Sequence, residues 1–326
     1  MTRIALDAMG GDRAPQETVG GAVDAAARGV DVVLVGDEAQ LRPILAECGA
    51  DLPIVPAPEV IGMGDDVAAA IRDKRRSSIS VAARLVAEGA AAGLVSAGST
   101  GATVAAGAIL VGRVPGVSRP ALAGIFPVGH PTVVLDIGAN LEVRPEHLVQ
   151  FAVMGRVLAQ VYLGVGDPVV GLLNIGEEEG KGRPLEKEAF ALLAAAAVRF
   201  AGNVEGRDLG RGTADVFVTD GFTGNVLLKA AEGMAAAVGR LVLAALSGED
   251  PALQAALPVV LPLIVGIRER FDPDTHGGAH LLGTRGTVVV AHGSASRVGV
   301  ANALILAAEG AERGLVERIE AGLRRG

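Results

Sequence analysis

Short β-branched runs alternate with alanine-rich stretches from one end of this 326-residue chain to the other. The runs at 3–7 (RIALD), 31–36 (DVVLVG), 92–98 (AGLVSAG), 132–138 (TVVLDIG), 168–176 (PVVGLLNIG), 215–221 (DVFVTDG) and 286–293 (GTVVVAHG) predict strands. Between and after them, 15–28, 37–47, 145–163, 184–199, 222–246 and 296–324 predict helices, the first with Pro15 in its opening turn. Strands that alternate with helices build a parallel or mostly parallel sheet covered on both faces. The expectation is a three-layer α/β/α fold. No Pro- or Ser-rich linker divides the chain and no 20–50-residue repeat is present, so residues 1–326 are expected to form a single domain. One segment breaks the pattern: 247–272 (SGEDPALQAALPVVLPLIVGIRERFD) is helical at both ends and apolar in the middle, with Pro258 and Pro262. It predicts a helical hairpin projecting from the α/β body.

Half of the residues are apolar but only 2% are aromatic, so the core must be Ala, Val, Leu and Ile. No 18-residue apolar run exists to span a bilayer, and the opening MTRIALD reads as a strand rather than a signal peptide. The lone Cys48 excludes an internal disulfide framework, points to a reducing compartment, and is expected to be a small buried hydrophobe. A net charge of −8 argues against nucleic acid as the main partner; an acidic partner needs a local basic patch.

Six of the predicted strands end in polar, glycine-containing turns: 7–12, 96–102, 136–140, 174–182, 220–225 and 291–296. In open α/β sheets, ligands bind beyond the carboxyl ends of strands. These turns are therefore expected to share one edge of the sheet. Backbone N–H groups in such turns make anion sites. The candidate binding residues are Asp7, Gly10 and Gly11; Ser96, Gly98, Ser99, Thr100 and Gly101; Asp136 and Asn140; Gly176; and Asp220, Thr223 and Gly224. A tight turn alone also explains Gly or Asn at any one of these positions. Only four of the 29 basic residues are lysines, and Lys181 is held between Gly180 and Gly182, as if a compact ammonium were wanted there.

Standard signatures fail. No complete G-x-G-x-x-G follows a strand, and GEEEGKG (176–182) is one residue short of a P-loop, with Gly182 where the Ser/Thr should stand. No G-x-S-x-G elbow exists. His276, His280 and His292 lie close in sequence, but Gly277 and Gly278 disfavour a helical metal pair, so no metal is expected. Asp65 and Asp66 read as a helix N-cap. Arg72, Lys74, Arg75 and Arg76 precede Ser77 and Ser78, which can cap the following helix; this cluster suits phosphate or an acidic partner, or is a solvated charged turn.

Taken together, IALDAMGGDRAP, SAGSTGA, LDIGAN, QFAVMG, GLLNIGEEEGKG, GNVEGRD, VTDGFTGNVLLK, GGAHLLG and AHGSAS resemble the phosphate acyltransferase family of bacterial phospholipid synthesis, in the right order across essentially the whole chain. The sequence departs at Ser99, where the family usually has Asn, and at His276 and His280, where Tyr and Pro are common. The resemblance implies a fold similar to phosphotransacetylases and to isocitrate and isopropylmalate dehydrogenases. It implies a cytoplasmic homodimer that moves a fatty acyl group from acyl carrier protein to inorganic phosphate, for use by a membrane glycerol-3-phosphate acyltransferase, with no cofactor. On that reading Lys181 supplies the charge that neutralises phosphate and the tetrahedral intermediate, and Asn225 donates its amide to the oxyanion. Glu177, Glu178 and Glu179 either fix Lys181 or are solvated. Arg72, Lys74, Arg75, Arg76, Arg268 and Arg270 are candidate docks for the acidic carrier protein. The apolar 257–267 is a dimer contact or a tip that dips into a membrane surface. An NAD-linked dehydrogenase of the related fold and a non-catalytic fatty-acid or carrier-protein binding module are the alternatives.

Overall fold

A computed structural model describes residues 2–62, 64–127, 129–246 and 251–324. Its strands are β1 (Arg3–Asp7), β2 (Asp31–Gly36), β3 (Ile54–Pro56), β4 (Gly93–Ser96), β5 (Ala121–Phe126), β6 (Thr132–Leu135), β7 (Val169–Asn174), β8 (Arg199–Glu205), β9 (Val216–Val218), β10 (Ala279–Leu282) and β11 (Thr287–Val290). Its helices are α1 (Gln16–Ala27), α2 (Glu38–Glu47), α3 (Val67–Asp73), α4 (Ser78–Ala87), α5 (Thr100–Ala105), α6 (Pro145–Tyr162), α7 (Pro184–Ala195), α8 (Gly221–Leu246), α9 (Pro251–Arg270), α10 (Pro273–His276), α11 (Arg297–Glu312) and α12 (Leu315–Leu323). A π-helical turn, Ala106–Val111, continues α5.

All strands join one eleven-stranded sheet in the order β3-β2-β1-β4-β11-β10-β5-β6-β9-β7-β8. The period of two feeds both faces. In β1, Ile4 and Leu6 enter the layer that holds α1 and α11, while Ala5 enters the opposite layer with α3 and α4. Further along, Val133 and Leu135 of β6 pack with Leu148, Phe151 and Leu158 of α6, and Val134 faces the side covered by Leu227 and Leu228 of α8.

Pairing is parallel except around β10 and β5, where β11–β10, β10–β5 and β5–β6 are antiparallel. Three reversals leave β1–β4, β11 and β5 pointing one way and β6–β10 the other. This corrects the expectation of a single ligand edge. The turns 7–12, 96–102 and 291–296 leave one set of strand ends, and 136–140, 174–182 and 220–225 leave the other.

Four element boundaries also move. The helix predicted at 184–199 ends at Ala195, and residues 199–205 form β8 at the sheet's end, paired with β7. The last helix breaks into α11 and α12 at Gly314, whose φ of 65° is left-handed. The hairpin's arms are α8 and α9, which pack against each other, rather than two halves of 247–272. Residues 251–270 are a single helix despite Pro258 and Pro262, each of which removes one helical donor. Residues 247–250 lie outside the described residues. Among the described residues, no helix is long and apolar enough to cross a membrane. Cys48 caps α2 and is half-buried rather than buried.

Candidate active site

One cavity of about 420 Å³ connects the two sets of strand ends. It follows the face of β5 that presents Leu122, Gly124 and Phe126. Thr100, Gly101 and Gly293 from one set of turns and Gly138 and Asn225 from the other all line it. Leu228 and Ala231 of α8 and Phe271 after α9 close the opposite wall. The β5 side of the cavity is mostly hydrocarbon, while Lys229, Glu232, Arg270 and His276 add polar groups from α8, α9 and α10, a mixture that suits a ligand with a polar head and an apolar tail.

The turns divide into those that use their donors internally and those that do not. Asp136 is fully buried and accepts five hydrogen bonds, from the backbone N–H of Leu122, Gly138, Ala139 and Asn140 and from Asn140 Nδ2, at 2.7–3.1 Å. Burial pushes this carboxyl up, and the donors act against that. The 136–140 turn therefore spends on Asp136 the N–H groups expected to face phosphate. Asp7, also buried, accepts from the Ser96 hydroxyl at 2.7 Å, and that hydroxyl in turn accepts from Gly98 N–H at 3.0 Å. Burial pushes Asp7 up, and its Oδ1 has no hydrogen-bond partner among the described residues. Gly10 lies so close to this group that a Cβ there would come within 2.9 Å of Gly98 N.

By contrast, the N–H groups of Thr100 and Gly101 have no partner among the described residues. Ser99 caps α5 through Ala102 N–H at 3.5 Å, and the helix returns no carbonyl to its first two donors. The Asn225 amide is also without a partner among the described residues, one turn into α8. Its helix begins with Asp220, which is buried and accepts from Thr223 N–H (2.8 Å) and Thr223 Oγ1 (3.0 Å). Gly221 and Gly224 let that first turn lie directly on the 136–140 turn. A Cβ on Gly224 would overlap the Asp136 carbonyl oxygen, and one on Gly221 would meet the Asn140 backbone.

Lys181 does not line the cavity. It is half-exposed, its Nζ is 3.8 Å from Glu178 Oε2, and its stem packs over Gly176. Glu178 is thus its nearest acid, while Glu177 pairs with Arg207 at 3.4 Å. Glu177, Glu205 and Asp208 bring carboxylate oxygens within 4.8 Å of one another, but Arg207 and Arg211 already pair with them. Arg183, which sequence reasoning passed over, joins the loop to α8 by pairing with the buried carboxylates of Glu186 and Asp220, and both raise its pKa. Its signal was spacing: Glu186, three residues on, accepts from the Arg183 backbone N–H at 2.7 Å at the start of α7.

A family model described as "Fatty acid synthesis protein" matches residues 2–318. The chain is 50% identical over 319 residues to a phosphate acyltransferase of Thermus thermophilus, covering 97% of both chains. The chain belongs to the phosphate acyltransferase family. A family member from Desulforamulus reducens is 46% identical over 327 residues, 99% of this chain and 98% of its own. Among solved structures, a phosphotransacetylase from Streptococcus pyogenes superposes with a TM-score of 0.63 at 17% identity, covering 95% of this chain and 94% of that one. A 4-hydroxythreonine-4-phosphate dehydrogenase from Klebsiella pneumoniae reaches 0.51 at 16% identity, with 94% and 99% covered. These two likenesses concern the fold.

Family membership makes the chain an acyltransferase and sets aside the dehydrogenase and non-catalytic alternatives. For such an enzyme, the cavity adds Gly124 and Lys229, to which the sequence reading gave no role, and takes in His276 and His292, which it weighed only as metal ligands. Lys229 is paired with Glu232 at 2.9 Å. His276 Nε2–H donates to the Arg270 carbonyl at 2.6 Å, and His292 Nδ1 lies 2.8 Å from Ser294 Oγ. His280 is on the other face of the sheet, buried, with Nε2 2.9 Å from Tyr162 Oη. Its departure from the family pattern leaves the cavity untouched. Arg270 lines the cavity, whereas the side chain of Arg268 lies outside the described residues. In the basic cluster, Lys74 is held by Asp65 at 2.5 Å and Arg72 by Asp73 at 2.9 Å; Arg75 and Arg76 have no ion pair among the described residues. Asp66 caps α3 as expected, but neither Ser77 nor Ser78 caps α4, because the Ser77 hydroxyl turns to Ser80 Oγ at 2.8 Å.

Proposed function

We propose that the enzyme transfers a fatty acyl group from the thioester of acyl carrier protein to inorganic phosphate, releasing an acyl phosphate for a membrane glycerol-3-phosphate acyltransferase. The observation that supports this reading is the cavity that sets the free N–H donors of Thr100 and Gly101 beside hydrocarbon walls. Phosphate takes those donors at the start of α5, and the acyl chain takes the walls. A phosphate oxygen attacks the thioester carbonyl, the new C–O bond forms, and the C–S bond breaks. The departing thiolate has an ordinary pKa of about 8.5 and needs little acid assistance. Asn225 donates its free amide to the oxyanion. Lys181 adds its charge when the glycine-flanked 174–182 loop closes over the anion, with Arg183 as the anchor of that loop. Both carboxylate turns act indirectly: Asp136 shapes the turn under Asn225, and Asp7 holds 96–98 in place.

Arg75, Arg76 and Arg270, with Arg72, Lys74 and Arg268, form the dock for the acidic carrier. The exposed apolar residues of the hairpin, among them Met234, Leu241, Val259 and Leu263, form the homodimer contact. A membrane surface is the second reading for 257–267, and sedimentation with and without anionic vesicles separates the two. The central test mixes the protein with long-chain acyl carrier protein and phosphate and follows free thiol and acyl phosphate together, beside Lys181→Ala. Equal, phosphate-dependent yields that collapse in the variant support the whole scheme. Full activity in Lys181→Ala removes the lysine from it, and absence of acyl phosphate from the wild type removes the reaction.

A further inference from the structure

We propose that Gly124 on β5 and Ala231 on α8 set the length of acyl chain that the cavity accepts. This rests on the acyl-transfer reading above. Leu122 and Phe126 flank Gly124 on the same face of β5 and are buried, so the glycine leaves a notch between two filled positions. Glycine in the interior of a strand weakens it, and it marks a place where another backbone or a ligand comes close. No backbone comes close here. A Cβ at Gly124 would meet only the tip of Ile137, Cδ1 at 2.9 Å, among the described residues. Gly171 of β7 is the contrast: a Cβ there would strike three atoms of Val204 at once. Nor does the backbone conformation demand glycine, because Gly124 is not among the residues with positive φ. The notch opens on the cavity.

Lining the same cavity, Ala231 is the smallest side chain that α8 offers to it, between Leu228 and Glu232. Much of the lining is hydrocarbon, Leu122, Phe126, Ile137, Leu228 and Phe271, while Lys229 and Glu232 on α8 pair with each other. The free N–H donors of Thr100 and Gly101 lie at the start of α5. What fills the gap between Gly124 and Ala231 is therefore the tail of the substrate rather than its phosphate or thioester. A leucine takes the room of about four methylenes at Gly124 and about three at Ala231. Each methylene kept from burial lowers kcat/KM by about fourfold, so long chains lose on the order of 10²-fold relative to chains short enough to stop before the gap.

The test measures kcat/KM for octanoyl and hexadecanoyl carrier protein with the wild type, Gly124→Leu and Ala231→Leu. The expected result is a hexadecanoyl-to-octanoyl ratio that falls on the order of 10²-fold in each variant. Ala231 sits on a half-exposed helical position where leucine is a good helix former, so this variant carries the test should Gly124→Leu not fold. An unchanged ratio in folded variants, or an equal fall for both chains, overturns the inference while leaving the acyl-transfer reading intact. A wild type that makes acyl phosphate from neither substrate overturns that reading, and the chain-length gauge with it.

Discussion

Replacing Gly224 by alanine adds one methyl group next to Asn225. On an isolated helix this change is favourable by about 1 kcal/mol. Here the new Cβ overlaps the carbonyl oxygen of Asp136, with Ile137 Cα 3.1 Å away. Both are backbone atoms of a turn clamped by five hydrogen bonds to the Asp136 carboxylate, so no side chain can swing aside. The first turn of α8 must lift by about 1 Å, enough to cost a positioned catalytic group about 10² in rate. The steric cost of about 1–3 kcal/mol offsets the gain in helix propensity, so the protein stays folded. Gly233, two turns on, is the control: a Cβ there meets nothing within 4 Å. Gly233→Ala is expected to raise stability by about 0.5–1 kcal/mol and leave activity unchanged. The assay follows phosphate-dependent thiol release, with circular dichroism for stability because the chain has no tryptophan. Wild-type activity in Gly224→Ala refutes the close docking of α8 on the 136–140 turn. An equal loss in Gly233→Ala refutes the assignment of the effect to Asn225.

Asn225→Ala is expected to lower kcat by about 10²–10³ with little change in urea stability, and a loss below tenfold rules out an oxyanion role. Arg183→Ala strands Glu186 and Asp220, whose side chains are 8% and 3% exposed, and should cost about 3 kcal/mol in urea unfolding; an unchanged midpoint contradicts the latch. His280, whose buried ring is held at a pKa of about 4, below the 6.5 of an exposed histidine, resists protonation in the folded state. The unfolded chain takes up that proton first, so stability is full above pH 6.5, falls by about 3 kcal/mol as pH drops to 4, and levels there. His280→Leu should flatten that window in pH-dependent melts, and an unaltered pH profile refutes the burial argument.

Much of the site was legible because its residue types are rare in this chain and sit at strand ends. Three of the five asparagines mark such turns, and the glycines of DGFTGN are there because α8 must touch the 136–140 backbone. The role of each residue was not legible. Asp136 and Asn140 have the look of ligand-binding residues but satisfy each other, whereas Thr100 and Gly101 owe their free donors to the start of a helix. Gly124 carried no turn signal and sits in the unpredicted strand β5, so only its place on the cavity wall drew attention to it.

By itself the sequence determined the alternation of strands and helices, the composition of the core, and which turns carry polar glycine-rich chemistry. Those are local properties, set by periodicity and by backbone freedom. Only the tertiary structure decided strand direction. The reversals run through β5 (ALAGIF) and β10 (AHLL), short strands with Ala, Gly or His where a β-branched run would announce them, paired across some 150 residues as His280 opposite Ala123. A strand has the same period of two whichever way it runs, so its pattern carries no sign of direction. That choice, made by packing between distant segments, sends the glycine turns to opposite ends of the sheet and places the cavity along β5 between them.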